Sequence, residues 1–240
     1  MAYDYIGLVN DVNRRLNEVE LTATNFSASV GEYAMVKDSV NSAIRFVNQH
    51  EYEWPFNHSE AEETLGVGTV RYAYPADAKT VVTNSFRIKR NDTLGNETRR
   101  LSVISYEEYL DKYIDGEYNT SASMKGLPRD VFRTPNLEFG FVPAPDKEYE
   151  LVYEYYRLPI DLISSTDVPS IPEQFRHILV DGAMLYAYMF RGETQEATIM
   201  QSRFESEIKS MRSLYINRYD YVRSTVISRA SSSVTSSGVT

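Results

Sequence analysis

The spacing of apolar side chains changes twice along this chain, and that change limits the fold more than any single motif. Residues 1–58 and 172–219 carry hydrophobics at three- and four-residue steps, the period of an amphipathic helix. Residues 59–171 carry short alternating runs broken by Gly, Pro, Asn and Asp, the pattern of half-buried strands. Residues 220–240 form a serine-rich arm, "DYVRSTVISRASSSVTSSGVT". Such a composition buries too little apolar surface to order itself.

In the first helical stretch, the spacing predicts a helix from Asp4, as N-cap, to Val19, with Ile6, Val9, Leu16 and Val19 near one face. After the polar break "TATNFSAS", Ser29-x-x-Glu32 reads as a capping box. It opens a second helix with Val36, Val40, Ala43, Ile44 and Val47 on one regular face. Pro172 suits a first helical turn and Glu173 the positive end of the dipole. Phe175, Ile178, Leu179, Gly182, Leu185, Tyr186 and Met189 follow as a broad stripe that Gly192 ends. The last helix opens near Glu193, with Ala197, Met200, Phe204, Ile208 and Met211 along it. Each pair of helices has an apolar stripe with nothing of its own to cover it. Packing the two N-terminal and two C-terminal helices together solves this. The expectation is an α+β fold: a four-helix bundle with an inserted antiparallel β domain at one end and an extended C-terminal tail.

Within the insertion, "TVRYAY", "VVTNSFRIKR", "RRLSVISY", "RDVFRT", "LEFGFVP" and "EYELVYEYYRLP" read as strands. "RNDTLGNETR" reads as a hairpin tip and "FVPAPDKEYE" as a turn between strands. "SYEEYLDKYI" departs from this pattern. Its Tyr106, Tyr109, Leu110 and Tyr113 spacing predicts one short helix.

Composition removes several function classes. Cysteine is absent, so disulfides, thiolate nucleophiles and thiolate metal sites are excluded, which fits a reducing compartment. A net charge of −9 argues against general nucleic-acid binding, which needs cations to displace phosphate counterions. No apolar run reaches the roughly 18 residues of a membrane span, and "MAYDYIGLVNDVNRR" lacks the basic start of a signal peptide. Nineteen tyrosines against one tryptophan suit sheets and interfaces, where an apolar ring and a polar tip are both used.

The stretch "NQHEYEWPFNHSE" invites a metal reading, because it holds two of the three histidines beside several glutamates. His50-Glu51 begins an H-E-x-x-H pattern, but Trp54 stands where the second histidine belongs. Pro55 disfavours helix at Trp54, so His50 and His58 do not share a helical face. The better reading is a joint: Trp54, Pro55 and Phe56 stop the helix and anchor the crossing into the strands. Trp54, Phe56, Pro172 and Phe175 are the candidate structural anchors. His177, beside Arg176, reads as a solvated or satisfied histidine. No nucleophile elbow, phosphate loop or dinucleotide fingerprint occurs, so no catalytic, metal or cofactor residue is assigned. Tyr149, Tyr153 and Tyr155 on one strand face could stack on sugars or pack against a neighbouring layer.

The order of these features carries a resemblance. "FVNQHEYEWPF" closes the N-terminal helices, and "YAYPADAKTVV", "GLPRDVF" and "LEFGFVPAPDKEYELVYEYYRLPIDL" follow. "VPSIPEQFRHILVDGAMLYAYMF" then leads to a long last helix. From Asp11 to Tyr219 the chain resembles the head-to-tail adaptor proteins of short-tailed phages, structural proteins without catalytic residues that lie beneath the portal. The resemblance implies a homo-oligomeric ring of twelve copies lining a DNA channel, with the portal on the head side and a nozzle or tail-tube protein on the other. It implies a place in the virion neck, assembly in the host bacterial cytoplasm, and no cofactor or membrane. A twelve-fold ring of this chain carries on the order of a hundred negative charges, so DNA slides through it without specific binding. From Tyr221 onward the arm has Arg223 and Arg229 and no acid. On the adaptor reading it is expected to dock on the portal through Arg218, Tyr221, Val222, Arg223, Val226, Ile227 and Arg229, folding as it binds. The alternative, from another class, is a tail-associated carbohydrate-binding or glycan-cleaving protein that uses the tyrosine-rich sheet and an acid pair.

Overall fold

A computed structural model describes residues 2–49, 53–92, 95–118 and 124–215 of the chain, and these form a mixed α+β fold. Helices α1 (Tyr5–Arg15), α2 (Ala23–Phe26) and α3 (Glu32–Gln49) come first. Strands β1 (His58–Leu65), β2 (Arg71–Ala73), β3 (Ala78–Val81), β4 (Arg87–Asp92), β5 (Gly95–Arg100) and β6 (Ser102–Ile104) follow. Then come α4 (Tyr106–Lys112), α5 (Ile114–Tyr118), β7 (Asp130–Arg133), β8 (Glu138–Val142) and β9 (Tyr149–Arg157). The last helices are α6 (Arg176–Arg191) and α7 (Thr194–Tyr215).

Asp4 caps α1 as its position predicts, its carboxylate accepting from Gly7 N–H at 2.9 Å. The helix stops at Arg15 rather than Val19. Asn17 adopts φ 59, a left-handed turn that asparagine tolerates, and Val19 is left 74% exposed. Asn10 then holds the return path, its amide donating to Leu21 O while Leu21 N–H donates back. The polar break contains structure of its own: α2 places Phe26 in the core, edge-on to Tyr5 at 5.0 Å. Ser29 is not the cap of α3. Its hydroxyl donates to Phe26 O, and Gly31, at φ 64, offers the carbonyl that takes the first helical N–H, from Met35. Glycine opens the turn there because the left-handed region costs it nothing.

One buried cluster unites α1, α3, α6 and α7, and the residues at helical spacing on α3 all lie inside it. At its centre Gly182 of α6 lies against α3 and α7. A Cβ there would sit 2.6 Å from Phe204 and 2.9 Å from Ala43. Gly192, at φ 79, ends α6 with the expected left-handed cap. Met189, expected on the buried stripe, is instead 59% exposed near the helix end.

The strands make two sheets. In the first, β9 is the axis: β1 pairs along one edge, and β3 and β4 share the other, with β5 outside β4. Ser85 lies between β3 and β4, its hydroxyl accepting from Glu154 N–H at 2.8 Å. The second sheet runs β2-β8-β7-β6. Its last pair corrects the all-antiparallel expectation, because β6 and β7 are parallel. Parallel neighbours need a crossover, and α4 with α5 supplies it. Leu101 alone separates β5 from β6, so the strand path changes sheets at one buried residue.

The sheets enclose Leu65, Phe86, Ile88, Val131, Phe139, Phe141, Tyr149, Leu151, Tyr153 and Tyr155. On the far side of the second sheet α4 covers Phe132, whose ring stacks on Tyr109 at 3.7 Å. Opposite Phe132 stands Gly140, where any Cβ would collide with that ring.

Residues 158–171 return the chain to the helices and are bonded to them. Asn41 of α3 donates to Leu162 O at 3.0 Å and accepts from Leu162 N–H at 3.1 Å. Tyr5 N–H donates to Asp167 O, and Arg45 grips Asp161 through two bonds of 2.7 and 2.6 Å.

Candidate functional site

The candidate anchors converge at the last described residue of α7. Trp54, after the end of α3, is buried, and its indole N–H donates to Val47 O at 2.8 Å. Its ring stacks on Phe56 at 5.6 Å with planes 12° apart. Pro55 starts a 3-10 turn over Pro55–Asn57, which keeps those two rings on one side of the chain. Pro172 opens a second 3-10 turn, Glu173–Phe175, and Phe175 N–H donates back to Pro172 O. That turn drives Phe175 into the core at the start of α6.

Tyr215, the last described residue of α7, closes the group. Phe56 meets its ring edge-on at 6.1 Å and Phe175 at 5.3 Å, and Gln174 donates to its hydroxyl at 2.8 Å. The residues expected as a joint between helix and sheet therefore also form a clamp on Tyr215. Tyr215 was readable in the sequence, because it continues the Phe204, Ile208, Met211 stripe by one more four-residue step. Gln174 carries no comparable signal. Arg218, Tyr221, Val222, Arg223, Val226, Ile227 and Arg229 lie outside the described residues.

Charges fix the helices around this clamp. Asp181 of α6 is fully buried and ion-paired to Arg15 of α1 and to Arg203 of α7, the latter at 2.7 Å. A buried carboxylate needs such partners, and losing either would leave charge in a dry interior. Asp11 accepts from Arg176 at 2.6 Å, while Arg176 also donates to Ala2 O and Gly7 O. Arg191 joins Glu18 and Glu32 at the other end of α6. Burial pushes the Tyr3 and Tyr5 hydroxyls well above the ordinary phenol range, so both stay protonated donors, to Ile171 O and Lys37 O.

The other candidates take structural positions. His50 and Glu51 lie outside the described residues; His58 is exposed, 3.4 Å from Glu154, and His177 is exposed. Among the described residues no group of three or more His, Asp or Glu side chains is placed to hold a metal ion. Tyr149, Tyr153 and Tyr155 face inward between the sheets, so they offer no stacking platform to a sugar. Tyr109 is buried too, donating to Glu117, which also receives Arg71 at 2.8 Å. No described helix is long and apolar enough to cross a membrane. The arrangement thus brings Trp54, Phe56 and Phe175 together beside Tyr215.

A family model described as SU10 adaptor protein matches residues 3–230. No curated protein matches the chain.

Proposed function

The chain belongs to the SU10 adaptor protein family of phage head-to-tail adaptors, and from that membership we propose that it forms a ring between the portal and the tail of the virion. The observation that carries this reading is the extent of the match, residues 3–230, which takes in the helices, both sheets and part of the arm. In this reading residues 1–58 and 172–219 act as a four-helix bundle, 59–171 as the inserted β-rich domain and 220–240 as the arm. The ring has twelve copies, its acidic lumen passes DNA without gripping it, and the β-rich domain faces the nozzle or tail-tube protein. The particle assembles in the host cytoplasm.

The clamp gives the arm a defined origin. Phe56, Phe175 and Gln174 hold Tyr215, so the arm starts each search for the portal from a fixed point and direction. That raises its effective concentration at the docking surface. Arg218, Arg223 and Arg229 then pair with acidic portal surface while Tyr221, Val222, Val226 and Ile227 bury apolar area.

The test is direct. Purified chain incubated with its portal should give a particle with the mass of a twelve-copy ring on the portal. A chain truncated after Tyr219 should keep its circular dichroism and melting transition yet lose portal binding. Unchanged binding by the truncated chain refutes the docking role of the arm. A monomer that binds glycan and ignores portal refutes the adaptor reading as a whole.

A further inference from the structure

The first sheet ends in two unpaired strands of opposite charge. Among the described strands β1 bonds only to β9, and β5 only to β4, so each offers a free row of backbone N–H and C=O groups. On the outer face one cross-strand row reads Glu62, Val152, Arg87, Arg100 from the β1 edge to the β5 edge. Beside it Glu60 of β1 stands opposite Glu154 of β9. All of these charged side chains are exposed.

Both ends therefore hold a like-charged pair in direct register, Glu60 with Glu154 and Arg87 with Arg100. Like charges directly opposite each other destabilise a sheet. Lys89 reaches across to Glu62 and His58 lies near Glu154, but neither relieves the arginine pair. Arg87 and Arg100 make no ion pair among the described residues. Within a lone protomer the arginine pair gains nothing from this arrangement. Charged edges are a common guard against aggregation, and a guard works with one sign at both edges. Opposite signs block only the symmetric pairings, β1 with β1 and β5 with β5.

We propose that β1 of one copy adds to β5 of the next, continuing the sheet from protomer to protomer. The contact is heterologous, so it closes into a ring when the rotation per copy allows. Each junction sets Glu60 and Glu62 beside Arg100, with Arg87 one strand further in, and opposite potentials select the register and the partner edge. This assignment rests on the ring reading above and names the surface that builds the ring.

Two reversed chains test it. Glu60→Lys/Glu62→Lys makes both edges basic, and Arg87→Glu/Arg100→Glu makes both acidic. Each alone should lower the ring fraction at least tenfold by native mass or sedimentation, with circular dichroism unchanged. Mixed in equal amounts they should restore it, because every junction is again opposite in sign. Rings from each reversed chain alone at wild-type yield, or no recovery on mixing, overturn the proposal.

A second route avoids charge changes. The chain has no cysteine, so Thr64→Cys on β1 and Thr98→Cys on β5 place the only thiols. With a short bis-maleimide reagent the doubly substituted chain should give a ladder of covalent oligomers, and the two singly substituted chains only dimers, and only when mixed. A ring that forms without any ladder refutes the edge assignment while the adaptor reading stands. A wild-type chain that stays monomeric with portal present refutes both.

Discussion

The two halves of the molecule fill their interiors differently. Between the helices small aliphatic residues, Val36, Val40, Ala43, Val47, Ala183, Ala187 and Ala197, pack around separate rings such as Phe26, Phe175 and Phe204, with Gly182 facing the Phe204 ring. Between the sheets the filling is aromatic. Phe86 stacks on Tyr153 at 4.8 Å, and Phe139 meets Phe86 at 5.1 Å and Tyr153 at 5.2 Å. At a close helix approach a ring fits where a glycine stands opposite it, as Gly182 does for Phe204, whereas sheets packed roughly 10 Å apart take rings throughout to fill the gap. At the Gly182 contact the helical core is therefore limited by added volume, and the β core by lost volume.

Deleting a large ring tests the second limit and should give the greatest effects. Phe139→Ala empties the centre of the aromatic cluster and should cost about 3–5 kcal/mol by urea denaturation. Trp54→Ala, on the helical side, should cost about the same. The two differ in a second readout. Trp54 supports Phe56, which touches Tyr215, so its loss should also weaken portal binding at temperatures where the chain stays folded. Phe139→Ala should leave that binding intact. Equal loss of binding in both would dissolve the distinction between the halves.

Adding volume should cost less but should separate the halves more sharply. Gly182→Ala drives a methyl into Phe204 and Ala43 and should destabilise by about 1–3 kcal/mol. Replacing Phe204 with Leu in the same chain should recover part of that loss. Gly140→Ala drives its methyl first into the Phe132 ring. It should therefore show up as lost stacking on Tyr109 as well as lost stability, in the near-ultraviolet circular dichroism of the tyrosines.

How much of this was legible follows the same division. On α3, helical spacing identified Val36, Val40, Ala43, Ile44 and Val47, and all are buried, because a helix reports its buried face through nearest neighbours in sequence. Several strand runs were legible for a similar local reason. But β1, whose "HSEAEETL" has no β-rich signature, was not, and a 3-10 turn at Thr83–Ser85 divides "VVTNSFRIKR" between β3 and β4. The partners of the strands were not legible: the parallel pairing of β6 with β7 and the edge shared by β3 and β4 are set by contacts far apart in the chain. Val19 shows the local rule failing, since one left-handed residue, Asn17, ended the helix before its pattern ended. The tyrosine strand shows a different limit, because alternation gives which residues share a face and not what covers it. At the clamp, Trp54, Phe56, Pro172 and Phe175 were each visible as punctuation, yet only the fold brings them to Tyr215.

A smaller change isolates the clamp from the core. Tyr215→Phe keeps both ring contacts and removes the bond from Gln174, an exposed bond expected to contribute about 0.5–1 kcal/mol at most. Tyr215→Ala removes the rings' common partner. If the clamp orients the arm, the alanine chain should bind portal several-fold more weakly while its melting temperature falls only a few degrees, and the phenylalanine chain should bind as wild type. Equal portal binding by both chains would reduce the clamp to ordinary packing.

The smallest effects come from protons, and they should run in opposite directions in the two halves. Arg45 holds the Asp161 carboxyl below its usual range through paired hydrogen bonds, which fasten residues 158–171 to α3. A depressed acid contributes stability above its unfolded value, near pH 4, and loses it as pH falls through the folded value. Glu63, on the inner side of β1, is instead pushed up by burial. A raised acid contributes stability at low pH and loses it as pH rises through the folded value, so its charged form penalises the β-rich part at neutral pH. Glu63→Gln should therefore raise the melting temperature slightly at pH 7 and have no such benefit at pH 4. Asp161→Asn should lower it at pH 7 and converge on wild type as pH falls below the depressed folded value. Measured together by thermal melts across pH 2–8, the two variants should diverge from wild type in opposite directions as pH rises. If both lie on the same side of wild type at pH 7, burial does not dominate at Glu63, and its environment supplies a cation the described residues do not include.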